Sequence, residues 1–534
     1  MEPNVLPRPH ERGIVTDTPT DTTETGGRRR RGGRRERPTG PVGPQQVPWR
    51  LYKRPMEPTR VVSDDELESI HLASLEVLRD TGMDFLHPKA LEMWAEAGAA
   101  IDGERVRFDP ELITELISSV PSEFTMHAPD PAHDFLIGGD NVAFTAVASA
   151  PNYTDRRGGR RTGNREDYRT LLKLTQSLNI LHSHAGYPVE PVDLHPSIRH
   201  LEATRDILTL TNKAVNVYSL GAQRNLDCLE MVRIVRGLSE DEIDTHPIVH
   251  SVINVSSPLR LDIPMSEGII QYSSRNQPII LTPFTLAGAM APVTVAGAVV
   301  QQNAEALAGI AFTQLVRRGA PVMYGGFTSN VDMQSGSPAF GTPEFMQSAM
   351  LGGQLARRYG IPYRSSNVCA ANAIDTQAGY ESVFSLWGAI MGGANLVFHG
   401  AGWMEGGLHA SPEKMVIDAD LLSMVGTFLQ PLIVDDATRA VDAIAEVGPG
   451  GHHFGTQHTQ DRYRDAFYKP MISDWRNFET WDEAGRPTSY DHAERRAEEL
   501  LGAYEAPALD DAVRAELDDF VDRRIAEGGV ETDF

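Results

Sequence analysis

Short apolar runs alternate with longer segments of helical periodicity from residue 141 onward. The runs are rich in Val, Ile, Tyr and Phe, which favour strands, whereas the segments between them repeat apolar positions every three or four residues. Eight strands are predicted, at 142–149, 180–187, 214–219, 248–254, 278–284, 321–327, 361–367 and 395–399. Seven of the helices between and after them are predicted at 168–177, 198–210, 226–236, 298–318, 344–358, 380–391 and 412–428.

Eight strand–helix units in succession predict an α/β fold of the (β/α)8 barrel type, which we place at residues 136–430. An open doubly wound sheet is the alternative. No G-x-G-x-x-G follows the first strand, so nothing supports the dinucleotide-binding form of that sheet.

The flanking segments differ from the barrel in pattern. Ser63 and Glu66 have the spacing of a capping box, and helical periodicity follows, so residues 61–135 are predicted to form an α-rich cap. Residues 431–534 are predicted to form a C-terminal helical extension. Residues 1–60, with their Arg, Pro and Gly content, are predicted to be a disordered tail and arm.

Charge separates the tail from the body. Residues 1–60 contain 13 basic and 7 acidic residues, which leaves 36 basic and 66 acidic residues in the remainder. An acidic body repels phosphates, so we do not expect a nucleic-acid partner. The Arg-rich run at 28–37 leaves a nucleic-acid-binding arm as an alternative role for the tail.

Compartment is inferred from what the sequence lacks. No apolar run is long enough to span a bilayer, and the first residues have no apolar stretch of the secretory type. Two cysteines do not make a disulfide framework. We expect a cytoplasmic protein without membrane association.

Alternation of side chains along the predicted strands places polar residues on one face. The opposite face is apolar, and its residues are predicted to pack against helices. They are Val215, Val217, Val249, Ile253, Leu396 and Phe398. A polar inner face is typical of a binding site, because barrel interiors are normally filled by Val, Ile and Leu. The polar residues are His182, His184, Asn216, Tyr218, His250, Asn254, Tyr363, Ser365, Asn367, Asn395 and His399.

A metal-dependent hydrolase is the first enzymatic hypothesis, because His182 and His184 have the spacing of a two-histidine ligand pair on one strand. The later strands, however, end in LTPF, YGGF and His399 and supply none of the other expected ligands, so we expect no metal. The role of the loop containing His452, His453 and His458 stays open. A nucleophilic enzyme lacks support, since there is no G-x-S-x-G motif.

Four segments carry a family resemblance. NYTDRRGGRRTGN (152–164), AGYPVEPVDL (185–194), AIDTQAGYES (373–382) and GANLVFHGAGWMEGGL (393–408) resemble the trimethylamine methyltransferase family of corrinoid methyltransferases. The resemblance extends from about Arg60 to Trp481. It implies a (β/α)8 barrel that transfers a methyl group from an amine to the Co(I) of cobalamin, a corrinoid carried by a separate partner protein.

One departure from the family bears on the substrate. Members that act on trimethylamine carry pyrrolysine, expected near the loop before Asp375, whereas this chain has SSNVCAANAI at 365–374. Members without pyrrolysine resemble glycine betaine methyltransferases, so we expect a quaternary amine as substrate. A quaternary ammonium needs no acid catalyst, because its leaving group is already a neutral tertiary amine. Trimethylamine chemistry without pyrrolysine is the alternative.

The candidate site residues follow from this chemistry. Aromatic faces and carboxylates bind quaternary ammonium groups, and polar donors would bind a substrate carboxylate. Asp375 is alternatively only a helix N-cap. The catalytic candidates are Asp375, Glu381, His399 and Glu405, and the substrate-binding candidates are Asn152, Tyr153, His184, Tyr187, Tyr218, Phe284, Phe327, Asn367, Gln377, Tyr380 and Trp403. We also expect a homo-oligomer.

Overall fold

The structure is a computed structural model and describes residues 45–531. The Arg-rich run at 28–37, and with it most of the predicted tail, lies outside the described residues.

Twenty strands are assigned within the described residues and are numbered in chain order. They are β1 Tyr52–Lys53, β2 Met83–Phe85, β3 Ala100–Asp102, β4 Arg105–Arg107, β5 Glu123–Met126, β6 Phe135–Gly138, β7 Asn141–Ala146, β8 Asn152–Asp155, β9 Gly159–Thr162, β10 Val215–Asn216, β11 Val249–Val255, β12 Arg260–Leu261, β13 Ile279–Ala287, β14 Val322–Gly325, β15 Phe327–Val331, β16 Pro338–Ala339, β17 Tyr363–Ser366, β18 Leu396–Ala401, β19 Trp403–Met404 and β20 His409–Ala410.

Eighteen α-helices are assigned in the same range. They are α1 Asp64–Glu76, α2 Pro88–Glu96, α3 Pro110–Ile117, α4 Arg165–Ser177, α5 Arg199–Leu210, α6 Ala222–Arg236, α7 Glu240–Ile243, α8 Ile263–Ser274, α9 Val295–Val316, α10 Pro343–Tyr359, α11 Thr376–Gly392, α12 Pro412–Phe428, α13 Asp436–Arg439, α14 Val441–Val447, α15 Gln457–Arg462, α16 Phe478–Glu483, α17 Ser489–Gly502 and α18 Asp511–Ala526. All seven helices that periodicity predicted at and beyond residue 168 are present, and α12 has the predicted bounds.

Parallel strands form a curled central sheet in a mixed α/β fold. The strands β7, β18, β17, β14, β13, β11 and β10 lie side by side in this order, each parallel to the next. Seven of the eight predicted strands are therefore present as ladder strands of one sheet.

The predicted strand at 180–187 is the exception. Only Ser183 pairs there, as single-residue bridges to Thr145 on one side and to Ala214 on the other. The Phe144 amide donates to Nδ1 of the His182 ring at 3.1 Å, so an imidazole occupies a position where the ladder would use a backbone carbonyl. Alternation of residue types along the sequence cannot predict that a side-chain nitrogen accepts this hydrogen bond in place of a backbone carbonyl.

The two faces of the sheet bury different side chains. Val215, Val249 and Ile253 pack in the large apolar core shared with the helices, as predicted. Leu396 and Phe398 do not: they belong to a separate apolar cluster on the inner face, so the prediction that they pack on helices was wrong.

A break in strand geometry explains this reversal. His399 has a φ of 53°, in the left-handed region, and the pairing of β18 with β7 shifts register between Val397 and Ala401. Strict alternation fails across such a residue. Phe398 and His399 consequently both reach the same cavity.

The segment before the sheet contains the predicted capping box, in which Ser63 and Glu66 satisfy each other's backbone amides at the start of α1. Predicting it as helical was incomplete, since β2, β3 and β4 form a small sheet with β12. The hairpin β5–β6 places Met126 and Phe135 in the inner-face cluster. Within residues 45–531, no helix is both long and apolar enough to cross a bilayer.

Candidate active site

A cavity of about 510 Å³ lies at the carboxyl ends of the parallel strands. This is the end of an α/β sheet at which ligands normally bind. Its lining residues are Ala148, Ser149, Ala185, Glu190, Tyr218, Ser219, Leu220, Val252, Asn254, Val255, Met265, Thr282, Phe284, Phe327, Arg364, Phe398, His399, Trp403, Gly406 and Gly407. Five predicted site residues are among them: Tyr218, Phe284, Phe327, His399 and Trp403.

Aromatic rings form one wall of the cavity. Phe327 lies at its centre, with ring centroids 5.2 Å from Phe284, 6.0 Å from His399 and 6.3 Å from Trp403. The Trp403 indole is fixed from behind, because it packs edge-on against Phe340 at 5.1 Å and lies over Gly407. A Cβ at Gly407 would approach the indole to 2.8 Å, so the backbone there has no room for a side chain.

Arg364 places a cation inside this cavity. Its side chain is buried, with 2% of the residue exposed, and the guanidinium carbon lies 4.7 Å from the Phe398 ring centroid and 5.2 Å from that of Phe327. Nε and Nη1 are buried and have no hydrogen-bond partner within residues 45–531. Burial lowers the pKa of Arg364 to about 9.

A buried charge without a counterion is costly, and proteins normally pair it. The geometry of a guanidinium favours a carboxylate or phosphate that can accept two hydrogen bonds. The unpaired donors of Arg364 therefore point to an anionic group on the ligand.

Alternation along β17 did not predict Arg364. The prediction placed Tyr363 on the inner face, whereas the Tyr363 hydroxyl donates to the Ala349 carbonyl of α10 at 2.7 Å, on the helix side of the sheet. The polar residues at 365 and 367 suggested the opposite phase. A signal was available: an arginine inside a predicted parallel strand is unusual, since such strands are buried on both faces.

The carboxylate of Glu190 also lines the cavity, beside a different part of the sheet from Arg364. Glu190 follows the bridge residue Ser183, whereas Arg364 lies on β17, with β18 and β7 between them. Burial raises the pKa of Glu190, and the Arg199 guanidinium, 3.6 Å away, opposes this shift. The cavity thus offers a cation on β17 and a carboxylate on the loop that follows Ser183.

Tyr218 lies beside Glu190 on the same wall. Its hydroxyl is 2.9 Å from Ser149 Oγ and accepts from the Tyr187 amide at 3.0 Å. Tyr187 itself packs edge-on against the Tyr218 ring at 4.6 Å and supports it from outside the cavity lining. The phenol is held in place by two neighbours, Ser149 and Tyr187, and lines the cavity.

His399 is held in an unusual conformation with its ring against Trp403, at 5.4 Å between centroids. Burial, and then repulsion from Arg364, hold the pKa of His399 well below its usual range, so the ring is neutral. A non-glycine residue with positive φ carries a conformational cost that is found mostly at functional sites.

Glu381 and its neighbours organise the loop beside the cavity. The Glu381 carboxylate accepts from the Ala370 and Ala371 amides at 2.8 and 3.0 Å, and Gln377 donates to its other oxygen. Gly406, which lines the cavity, donates its backbone amide to the Cys369 carbonyl of this loop at 3.0 Å.

Asp375 caps α11, accepting from the Gln377 and Ala378 amides at 2.9 and 3.4 Å. Asp375, Gln377 and Tyr380 are exposed on the helix and are not among the cavity-lining residues.

Four further predicted residues support the cavity rim. Glu405 pairs with Arg160 at 3.0 Å and with His409 at 3.1 Å. Asn152 donates to the Leu408 carbonyl at 2.9 Å, and the Tyr153 ring lies under Arg161. Asn367 donates to the Gly400 carbonyl at 2.8 Å. None of the four is among the cavity-lining residues.

His184 lies deeper in the sheet interior. It is fully buried, and burial together with the nearby His250 lowers its pKa to about 3. Both ring nitrogens of His184 and of His250 lack a hydrogen-bond partner among the described residues. His182, the other member of the predicted metal-ligand pair, uses both ring nitrogens, one with the Phe144 amide and one with the Arg50 carbonyl.

The model of the family described as trimethylamine methyltransferase (MTTB) matches residues 27–529. The chain belongs to the trimethylamine methyltransferase family. The family resemblance drawn from the four sequence segments is confirmed, and the protein is a methyltransferase by descent.

Individual relatives within this family differ in their named substrates. The chain is 33% identical to the glycine betaine methyltransferase of Desulfitobacterium hafniense, over 88% of this chain and 98% of that one. It is 29% identical to a trimethylamine methyltransferase of the same species, over 88% of this chain and 94% of that one. It is 27% identical to a trimethylamine methyltransferase of Methanosarcina barkeri, over 86% of this chain and 94% of that one.

Among solved structures, the chain is similar to the monomethylamine methyltransferase of Methanosarcina barkeri. The identity is 12%, the match covers 82% of this chain and 94% of the other, and the TM-score is 0.46.

Proposed function

We propose that this member of the trimethylamine methyltransferase family transfers a methyl group from a zwitterionic quaternary amine, glycine betaine or a close relative, to the Co(I) of a corrinoid on a partner protein. The observation that carries the substrate class is the unpaired guanidinium of Arg364 inside an aromatic cavity. Trimethylamine has no group that could pair with it. Family membership favours methyl transfer over the metal-dependent hydrolase.

We also propose that the curled sheet is a complete (β/α)8 barrel. The Ser183 bridges to Thr145 and Ala214 support this, because they join β7 to β10 in the gap between the two ends of the parallel series. The strand at that position would then be reduced to one paired residue.

The charges in the cavity match the two ends of a betaine. The substrate carboxylate would accept two hydrogen bonds from Arg364, which is held rigidly by its position over Phe398 and Phe327. The trimethylammonium end would lie against the faces of Trp403, Phe284 and Tyr218, with Glu190 supplying a negative charge nearby. This places the two substrate charges on groups that are three strand positions apart.

The transfer itself demands little of the protein's acids and bases. The cobalt(I) nucleophile supplies the electron pair of the new cobalt–carbon bond, and the electron pair of the broken C–N bond leaves with a neutral tertiary amine. The protein's contribution is to bind the cation, orient one methyl group and exclude water. A neutral His399 is suited to this, because a second cation beside Arg364 would repel the ammonium.

The predicted catalytic and binding residues divide by location. We propose that Tyr218, Phe284, Phe327, His399 and Trp403 contact the substrate. The remaining candidates would be positioning residues. Asn152, Tyr153, Asn367 and Glu405 would hold the cavity rim, and Asp375, Gln377, Tyr380 and Glu381 would hold the loop before α11 and the start of that helix. Tyr187 would support Tyr218, and His184 would act from the sheet interior beneath the cavity. The corrinoid protein would approach the cavity mouth, and the cytoplasm stays the predicted compartment.

A turnover assay tests the proposed function. Purified protein is mixed with reduced cobalamin and either glycine betaine or trimethylamine, and dimethylglycine, dimethylamine and methylated cobalamin are quantified. We expect dimethylglycine and methylated cobalamin in equal amounts from glycine betaine. Faster formation of dimethylamine from trimethylamine, or no methylated cobalamin from any quaternary amine, would refute the proposal.

The stability of an Arg364→Met variant separates a binding role from a structural one. Removing an unpaired buried charge should stabilise the ligand-free fold, and we expect the apparent Tm to rise by on the order of 1–3 °C. Glycine betaine should raise the Tm of the parent protein but not that of the variant. As a control, Arg165→Met should lower the Tm, since Arg165 pairs with the largely buried Glu202 and Asp206. A Tm loss in Arg364→Met comparable to the control would contradict the binding role.

The raised pKa of Glu190 predicts a pH effect. A raised pKa means that the carboxylate is protonated, and its charge lost, at a higher pH than an ordinary glutamate. We expect kcat/KM for glycine betaine to fall as the pH drops through this pKa, and the fall to disappear in Glu190→Gln. Glu111→Gln, at an exposed position on α3, should keep the parent profile. An unchanged acidic limb in Glu190→Gln would remove Glu190 from the site.

A further inference from the structure

Residues 431–467 form an excursion from the body of the protein, which we call the arm. It begins after α12 and contains α13, α14 and α15. It ends where the chain returns to α12, with the Tyr468 hydroxyl 3.1 Å from the Asp420 carbonyl oxygen and the Met471 amide donating to the Asp420 carboxylate at 2.9 Å. Both ends of the arm are thus anchored on one helix.

The arm has no apolar core of its own. Of residues 431–467, all of which the structure describes, only Ala443 and Thr456 are buried. Eight large apolar side chains are more than half exposed, and three of them, Leu432, Phe454 and Phe467, are 87%, 79% and 83% exposed. The other five are Ile433, Val434, Val441, Ile444 and Tyr463.

This exposure exceeds what a monomer normally tolerates. Since an aromatic side chain buries about 150–250 Å², the three rings of the arm leave on the order of 400 Å² uncovered. The five aliphatic side chains add to that area. The largest apolar patch on a typical monomer is about 300–600 Å², and a stable interface needs about 800 Å² from each partner.

A second exposed apolar surface lies at the base of the arm, on α11 and α12. Met424 and Phe428 are one turn apart on α12 and are exposed, as are Val383 and Phe384 on α11. Trp387 of α11 packs edge-on against Phe428 at 5.2 Å and joins the two sets. We call these five residues the apolar face.

We propose that the arm packs on the apolar face of a second copy of this chain. Each copy carries one arm and one apolar face, so a two-fold arrangement covers both surfaces on both chains and closes the assembly. The area available in the arm approaches that of a stable dimer interface before the apolar face is counted. This inference concerns surfaces outside the cavity and does not rest on the proposed substrate.

Mass measurement by light scattering on the full-length protein at micromolar concentration tests the proposal. We expect at least a dimer for the parent protein, and the mass of one chain for Phe467→Asp and for Phe428→Asp. Leu72→Asp, an equally radical change at an exposed apolar position on α1, should leave the mass unchanged. The Phe467→Asp monomer should still bind glycine betaine, if that is the substrate, in calorimetry.

Mixing the two monomeric variants distinguishes arm-on-face packing from arm-on-arm packing. A mixed pair retains one intact arm opposite one intact face, so we expect association to be partly restored. No restoration would contradict the arrangement. A monomeric parent protein would also overturn the proposal, as would a parent dimer that survives both aspartate substitutions or dissociates on deletion of residues 1–44 alone.

Discussion

Replacing Arg364 by methionine should lower kcat/KM for glycine betaine by about a hundredfold or more, the range found when one partner of a buried, hydrogen-bonded charge pair is removed. The physical reason is that the substrate carboxylate would enter a desolvated cavity without a counterion. Arg364→Lys should recover part of the loss, because an ammonium restores the charge but not the two-pronged geometry. Steady-state kinetics with reduced cobalamin measures both variants.

The matched control for this substitution is Arg358→Met on α10. Arg358 pairs with Glu68 at the protein surface and is not among the cavity-lining residues, so its loss should leave kcat/KM within about twofold of the parent value. Equal losses in the two variants would show that the effect of Arg364 is not specific to the cavity.

Replacing Trp403 by leucine should lower kcat/KM by about thirtyfold, the factor that corresponds to ~2 kcal/mol for a desolvated cation–π contact. Leucine keeps much of the packing against Phe340 but offers no π face. Trp403→Phe should restore most of the activity, because phenylalanine again offers a π face to the ammonium group. The readout is the kinetics with glycine betaine, with folding checked by circular dichroism.

Trp481→Leu is the control for the tryptophan substitution, because Trp481 lies in α16 and its indole N–H donates to the Pro487 carbonyl, away from the cavity. It should behave as the parent protein. A Trp403→Leu enzyme with unchanged kinetics would place the ammonium group elsewhere in the cavity.

Much of the fold could be predicted from residue pattern alone. Strands and helices with strong periodicity, such as β11 and α12, are present with nearly their predicted bounds. The errors lie where a local interaction replaces regular geometry. The His182 ring accepts a hydrogen bond from the Phe144 amide, and only Ser183 of the predicted strand pairs with its neighbours. The positive φ of His399 interrupts the alternation of side chains along β18.

The candidate site was predicted in part, and for a physical reason. Aromatic residues such as Phe284 and Phe327 are the last residues of predicted strands, so their position at the cavity depends mainly on strand order. Arg364 depends on which face of β17 turns inward, and Glu190 depends on how the chain folds back after Ser183. Alternation of residue types determines neither property, because both result from contacts with distant segments.

The most direct test of the zwitterion-binding cavity compares two substrates that share a trimethylammonium group. Glycine betaine carries a carboxylate, whereas choline carries an uncharged hydroxyl, and kcat/KM for each is measured with the parent protein and with Arg364→Met. We expect a preference for glycine betaine of about a hundredfold or more in the parent protein, consistent with the loss of one buried charge pair. That preference should collapse in the variant. Equal use of both substrates by the parent protein, or a preference that survives the loss of Arg364, would contradict the account.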